Sequence, residues 1–247
     1  EFHKRALLDE YQFLFLDGIT LKVKTSLKAV KKLVLVAYGI TVFGKKELIS
    51  FRIASSESEN CWQAFLNDLY SRGLKGENLK LVIIDGCKGL HAALDLVYAY
   101  TKRQHCWVHK MRNVAKYLRK SDEKIVLSEA KEIYKASTKR EAVRIFKRWK
   151  NRWQRKYPQA VNCIEKDLDE LLNFLEIPIK EQYRKLIRRR IRTTNVIERA
   201  FREVRRRTRP MSCFTNQDSV NRIIYAILTR LNNKWKDKPL KEFTQFI

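Results

Sequence analysis

"LVIIDGCKGL", residues 81–90, runs four apolar residues straight into an Asp-Gly pair. A strand that hydrophobic belongs inside a sheet covered on both faces. A carboxylate at its end needs a reason, because burying one without a cationic partner is costly. The segment after Asp85 reads as a helix, from about Lys88 to Tyr98, so no hairpin turn explains it; the first turn of a helix is the remaining structural use. The same event occurs earlier, in "FLFLDGIT", residues 13–20. There the hairpin reading is strong, since Asp-Gly between alternating apolar residues is the best short hairpin signal. Parity argues against it. Phe13, Phe15, Asp17, Ile19, Leu21 and Val23 fall on one face of a continuous strand, which sets Asp17 in an apolar row. Two carboxylates delivered by interior strands suit a hard, oxygen-ligated cation such as Mg2+.

Outward from these two sites, the first third reads as strands. "YQFLFLDGITLKV", "KLVLVAYGITVFG" and "ELISFRIAS" are rich in β-branched and aromatic residues, and Gly44 marks a turn between the last two. A helix comes next, with Ser56 and Glu59 as a capping box, a stripe of Trp62, Phe65, Leu66 and Leu69, and Gly73 as its stop. After Leu79–Ile84 and the helix beyond it, "RQHCWVH" reads as a fifth strand. Three strands, a helix, a strand, a helix and a strand predict a mixed sheet with helices on its faces. From Met111 to about Arg190 the period becomes helical, and the block is all-α. Trp149, Trp153 and Tyr157, spaced by four, read as its core, with base stacking as the sharper alternative. "AVNCIEKDLDELLNFL" predicts one helix burying Ile164, Leu168, Leu171, Leu172 and Leu175, with Asp167, Asp169 and Glu170 on its solvated side. Two helices, about Asn195–Arg207 and Gln217–Trp235, close the chain.

The formal charge of +26, with 53 Lys and Arg against 27 Asp and Glu, points to a polyanionic partner, of which nucleic acid is the commonest. The excess is concentrated after residue 110, where 36 basic residues face 16 acidic ones. No apolar run approaches the roughly 18 residues of a spanning helix, and no signal-peptide pattern opens the chain, so no membrane role is expected. Five cysteines at irregular spacing predict a reducing, intracellular compartment. With 7 Gly and 4 Pro there is little room for linkers. The first strand begins at about Tyr11, leaving almost nothing before it, which suggests a domain taken from a longer protein.

"RRRIRTTNVIERAFREVRRRTRP", residues 188–210, carries ten Arg and two acids between Arg188 and Arg209. On a helix, Ile197, Ala200, Phe201 and Val204 form a buried stripe, with Glu198, Arg202, Arg205 and Arg209 on a neighbouring face. Glu198 has three readings: partner of Asn195 in a capping box, half of an ion pair within the Arg-rich helix, or a third metal-side carboxylate among arginines that grip phosphate.

Three stretches, "FLDGI", "DGCKGLHAAL…QHCWVHKMRN" and "RTTNVIERAFREVRRRTRPM", resemble the Mutator superfamily of transposases, in particular its bacterial and archaeal insertion-sequence branch. The resemblance runs from about residue 11 to 235. It implies an RNase H-like core, residues 11–110 and 190–235, interrupted by a helical insertion, residues 111–189. It implies a D-D-E triad that binds Mg2+ or Mn2+, with two ions, and performs DNA cleavage and strand transfer. Matched position by position, the triad falls on Asp17, Asp85 and Glu198, with Glu203 the nearest competitor for third place. Cys106 and His109 match a Cys-or-Asp, two residues, His signature, which places His109 beside the active site. A zinc site is not expected there, because no second half exists with proper spacing and His91 and His105 read as isolated. DNA contacts are expected at Lys88, His109, Arg112, Asn113, Arg192, Asn195, Arg202, Arg205, Arg206 and Arg209, with little sequence preference. A homodimer in the cytoplasm or nucleoid of a prokaryote completes the expectation. The alternatives are an inactive DNA-binding remnant and a nuclease or resolvase on the same fold.

Overall fold

The computed structural model of the chain describes residues 2–24, 28–211 and 213–246. Its centre is a five-stranded sheet in the order β3-β2-β1-β4-β5. β1 (Tyr11–Lys24), β2 (Ala29–Thr41) and β3 (Lys46–Ala54) form an antiparallel meander, while β4 (Leu81–Ile84) and β5 (Arg103–His105) add in parallel beyond β1. The predicted order of elements is therefore present, and β1 is the strand at which pairing changes from antiparallel to parallel.

The sheet is covered on both faces, and strand parity decides which residue goes where. Leu14, Leu16, Leu35, Val82 and Ile84 pack with Trp62, Phe65 and Leu66 of α1 (Glu59–Ser71) and Leu90 and Leu94 of α2 (Lys88–Val97). Phe13, Phe15, Ile19, Val36, Leu81 and Ile83 face the opposite way. They join a core that includes Trp107 and Met111 of α3 (Trp107–Ala115), Ile197 and Phe201 of α9 (Asn195–Thr208) and Ile224 of α10 (Gln217–Trp235). The Asp17-Gly18 hairpin reading is thereby overturned: β1 runs straight through both residues, with Asp17 opposite Val36.

Between α3 and α9 lie α4 (Lys120–Ile133), α5 (Lys139–Trp153), α6 (Pro158–Glu165), α7 (Leu168–Leu172) and α8 (Glu181–Ile191). Trp149, Trp153 and Tyr157 are buried, as core residues should be. Trp149 Nε1 donates to Val126 O at 3.1 Å and Trp153 Nε1 to Glu129 Oε2 at 2.7 Å, so both rings are fixed from α4. Trp149→Ala is expected to cost about 3–5 kcal/mol in chemical denaturation. A loss below about 1 kcal/mol would mean that the ring is not a core element.

Four local readings need correction. The cap of α1 is Ser58, not Ser56; its hydroxyl accepts from Cys61 N at 3.4 Å. β5 ends at His105, and Trp107 already starts α3, because Cys106 turns the chain out of the sheet. The long helix predicted over "AVNCIEKDLDELLNFL" is broken between Glu165 and Leu168. At the break the buried ammonium of Lys110 takes up Cys163 O, an orphan carbonyl at the end of α6, at 3.1 Å, and pairs with Asp167. Finally, the core extends past Trp235: Leu240 and Phe243 are buried, and Gln12 Nε2 donates to both Thr41 O and Phe243 O at 3.2 Å.

Candidate active site

The parity that buries Phe13 and Phe15 carries on to Asp17, and the parity of Leu81 and Ile83 carries on to Asp85. The register pairs Phe15 with Ile83, so both carboxylates leave the sheet on the same face at matching height. Asp17 is 7% exposed. Its Oδ1 accepts from Gly18 N at 2.7 Å, and Asp85 Oδ1 accepts from Cys87 N at 3.1 Å, where Gly86 turns the chain with φ +95°.

Glu198 arrives from α9. The N-cap position of that helix is Thr194, which makes no side-chain cap bond, so the capping-box use of Asn195 and Glu198 is absent. Thr194 is instead fully buried against Cys106, with its N–H 3.3 Å and its hydroxyl 3.4 Å from Sγ; nearby, Trp107 N donates to Arg192 O at 3.0 Å. The starts of α3 and α9 are thus locked together. One turn into each, His109 Nε2 lies 3.6 Å and Arg112 Nη1 3.5 Å from Glu198 Oε1.

The electrostatics show that these acids share one space. Burial, then the negative charge of Asp85, raises the Asp17 carboxyl to about 7, with Glu198 adding to the rise and Gly18 N–H and His109 opposing it. His109 is raised to about 9, first by its contact with the Cys106 thiol, with Asp17 and Asp85 contributing. Burial works to raise Cys106, but His109 and Thr194 outweigh it and the thiol is lowered overall. At neutral pH the imidazolium of His109, with the Arg112 guanidinium at a similar distance from Glu198, therefore brings positive charge to a crowded set of carboxylates. The donor set is oxygen-only, the chemistry that a hard divalent ion accepts.

Glu57, in the loop before α1, is a further acid that the sequence reading missed. Its Oε1 stands so close to Gly18 that a β-carbon there would meet it at 3.2 Å. Partial burial, then the charge of Asp85, raises its carboxyl. Its position in a loop leaves no periodic signal. Glu203 lies elsewhere: it is held at 2.9 Å by both Arg206 and Arg207, which bring it well down to about 2.

The expected DNA-contact residues divide. Lys88, Arg112, Asn195, Arg202, Arg205 and Arg209 are exposed, with Lys88 and Arg112 on elements that border the carboxylates. Arg206 is exposed but engaged by Glu203. Asn113 accepts from Lys116 Nζ at 3.0 Å. Arg192 is drawn inward, stacked 4.3 Å over the Tyr134 ring and donating to Tyr134 O at 3.2 Å. A groove lined by Trp107, Met111, Arg112, Tyr134, Arg192 and Asn195 opens beside Glu198. His91 and His105 are not isolated, contrary to expectation; their Nε2 atoms are 2.5 Å apart, with Glu170 beside them. All five cysteines are free thiols. Among the described residues no helix is long and apolar enough to cross a membrane.

The sequence that folds in this way matches a known family along almost its whole length. The chain belongs to the Mutator family of transposases, whose sequence profile it matches over residues 1–238. It is 30% identical over 244 residues to the transposase for insertion sequence element IS905 of Lactococcus lactis, covering 99% of this chain and 60% of that protein. It is 36% identical over 229 residues to the transposase for insertion sequence element IS406 of Burkholderia multivorans, covering 92% and 57%. The transposase for IS6120 of Mycolicibacterium smegmatis is 38% identical over 200 residues, covering 81% and 59%. The chain thus spans 57–60% of the length of these curated relatives.

Proposed function

We propose that this chain is the catalytic part of a DNA transposase, cutting phosphodiester bonds and joining DNA strands with Asp17, Asp85 and Glu198 as its metal-binding acids. The observation that carries the reading is their convergence: acids from β1, the end of β4 and α9 lie on one face of the sheet, and charges at Asp85 and Glu198 act on Asp17. In this reading residues 11–110 and 190–235 form an RNase H-like core around a helical insertion, residues 111–189. The three carboxylates would hold Mg2+ or Mn2+, as a pair of ions. Bound there, such ions supply Lewis acidity toward an attacking water or DNA 3′-hydroxyl and toward the leaving oxygen.

The protein's own groups do the rest. β1 and β4 are rigid and buried, so Asp17 and Asp85 are positioned before substrate arrives. His109 holds Glu198 toward the centre and offers positive charge near the scissile phosphate. Arg112, Lys88 and the exposed arginines of α9 neutralise flanking phosphates, so affinity falls as salt rises. Arg192 shapes the groove beside the site through its stacking on Tyr134. A homodimer acting on DNA inside a prokaryotic cell is inferred by analogy with transposition, which joins two DNA ends.

The test compares wild type with Asp85→Ala on a supercoiled plasmid and on a pre-nicked transposon end, in Mg2+ and in Ca2+. Nicking and end joining by the wild type in Mg2+, reduced at least ~100-fold in the variant, is the expected result. Equal nicking by both proteins removes the catalytic assignment. Nicking without joining favours a nuclease, and DNA binding with neither favours an inactive remnant.

A further inference from the structure

We infer that His91, His105 and Glu170 form a binding site for one zinc-class transition-metal cation, separate from the carboxylates of the proposed active site. The three come from separate elements: His91 from α2, His105 from the last position of β5, Glu170 from α7. Their ligand atoms nevertheless converge. His91 Nε2 and His105 Nε2 are 2.5 Å apart, His105 Nε2 and Glu170 Oε2 2.8 Å, and His91 Nε2 and Glu170 Oε2 3.5 Å. A tetrahedral ion with bonds of about 2.0–2.1 Å needs ligand atoms about 3.3 Å apart. The observed triangle needs only a small opening to accept one.

The donor set decides the class of ion. Two imidazole nitrogens and one carboxylate suit zinc or a related transition metal, whereas Mg2+ prefers oxygen and octahedral geometry. His105 is buried and so is Glu170 Oε2, while the side chains of His91 and Glu170 as a whole are 23% and 35% exposed. Asp167 does not compete for the role. It sits on the other edge of the His105 ring, with Oδ2 3.9 Å from Nδ1, and is engaged by Lys110.

The site would work as a clamp behind the proposed active site. Gly86 packs against the His105 ring so closely that a β-carbon there would meet Nδ1 at 3.2 Å. An ion on the opposite nitrogen would fix that ring, and with it the wall behind the Asp85-Gly86 turn. It would also tie α7 to the end of the sheet.

The test uses the purified chain, stripped by a chelator and then titrated with ZnCl2 in excess Mg2+, with Co2+ absorption as a second probe of coordination. One equivalent of Zn2+ is expected, with a rise in Tm that Mg2+ alone does not produce. His91→Ala and Glu170→Gln, both at partly exposed positions, should each weaken binding at least about 100-fold while circular dichroism stays unchanged. Asp85→Ala and Cys106→Ser should retain it. No stoichiometric Zn2+ binding would overturn the inference. So would binding that survives both His91→Ala and Glu170→Gln, or that disappears with Cys106→Ser.

Discussion

Asp17→Asn is expected to abolish strand cleavage and, at the same time, to stabilise the metal-free protein at pH 8. Both effects have one cause. Asp17 is buried among like charges and its carboxyl is raised to about 7 in the folded state. Linkage fixes the sign. Between the ordinary aspartate value and about pH 7 the folded protein holds a proton that the unfolded chain has released, so stability falls as pH rises through that window. Above pH 7 the penalty is complete, with an upper bound of about 4 kcal/mol. Asn keeps the shape, keeps an acceptor for Gly18 N–H and carries no charge. The gap in Tm between variant and wild type should therefore be several degrees at pH 8 and close toward pH 4. Mg2+ should narrow it at pH 8 by stabilising only the wild type. A variant less stable than wild type at pH 8 would show that Asp17 has a structural cation already, and that the carboxylates are not crowded.

The second large effect separates two glutamates five residues apart on α9. Glu198→Gln is expected to lower cleavage and joining at least ~100-fold, because it removes one charge from the proposed metal-binding set. Glu203→Gln should stay within about fivefold of wild type, since what it loses is a pair of surface ion contacts with Arg206 and Arg207. The helical repeat explains the difference. Five residues turn the side chain to another part of the helix surface, away from His109 and Arg112 and toward Arg230 and Lys234. An inactive Glu203→Gln beside an active Glu198→Gln would reverse the assignment.

The sheet was legible because its strands obey a strict period of two. Phe13 to Val23 announced a continuous strand through Asp17, and the meander with two crossovers after it fixed the order of elements. Asp85 stood out because an apolar run cannot end in a carboxylate without cause. Glu198 was harder: its local alternatives, a cap or an ion pair within the helix, are equally written in "NVIERAF". What removes them is the packing of Thr194 on Cys106, a contact across 88 positions that no local pattern encodes. The same limit hid the meeting of His91, His105 and Glu170, each of which looks ordinary on its own element. Asp167 and Glu170 read as solvated because the predicted single helix gave them an outer face. The break before α7 turns both inward, toward Lys110 and the two histidines. Glu57 lay beyond reach for a simpler reason, being a loop acid whose place depends on how close Gly18 lets it come.

The central claim is that Asp17, Asp85 and Glu198 make one site for a pair of divalent ions. Anomalous diffraction from crystals grown with Mn2+ and a DNA end tests it directly. Two manganese peaks about 3.5–4 Å apart, between these three carboxylates, are the predicted result. Manganese bound elsewhere, with none between Asp17 and Asp85, would contradict it.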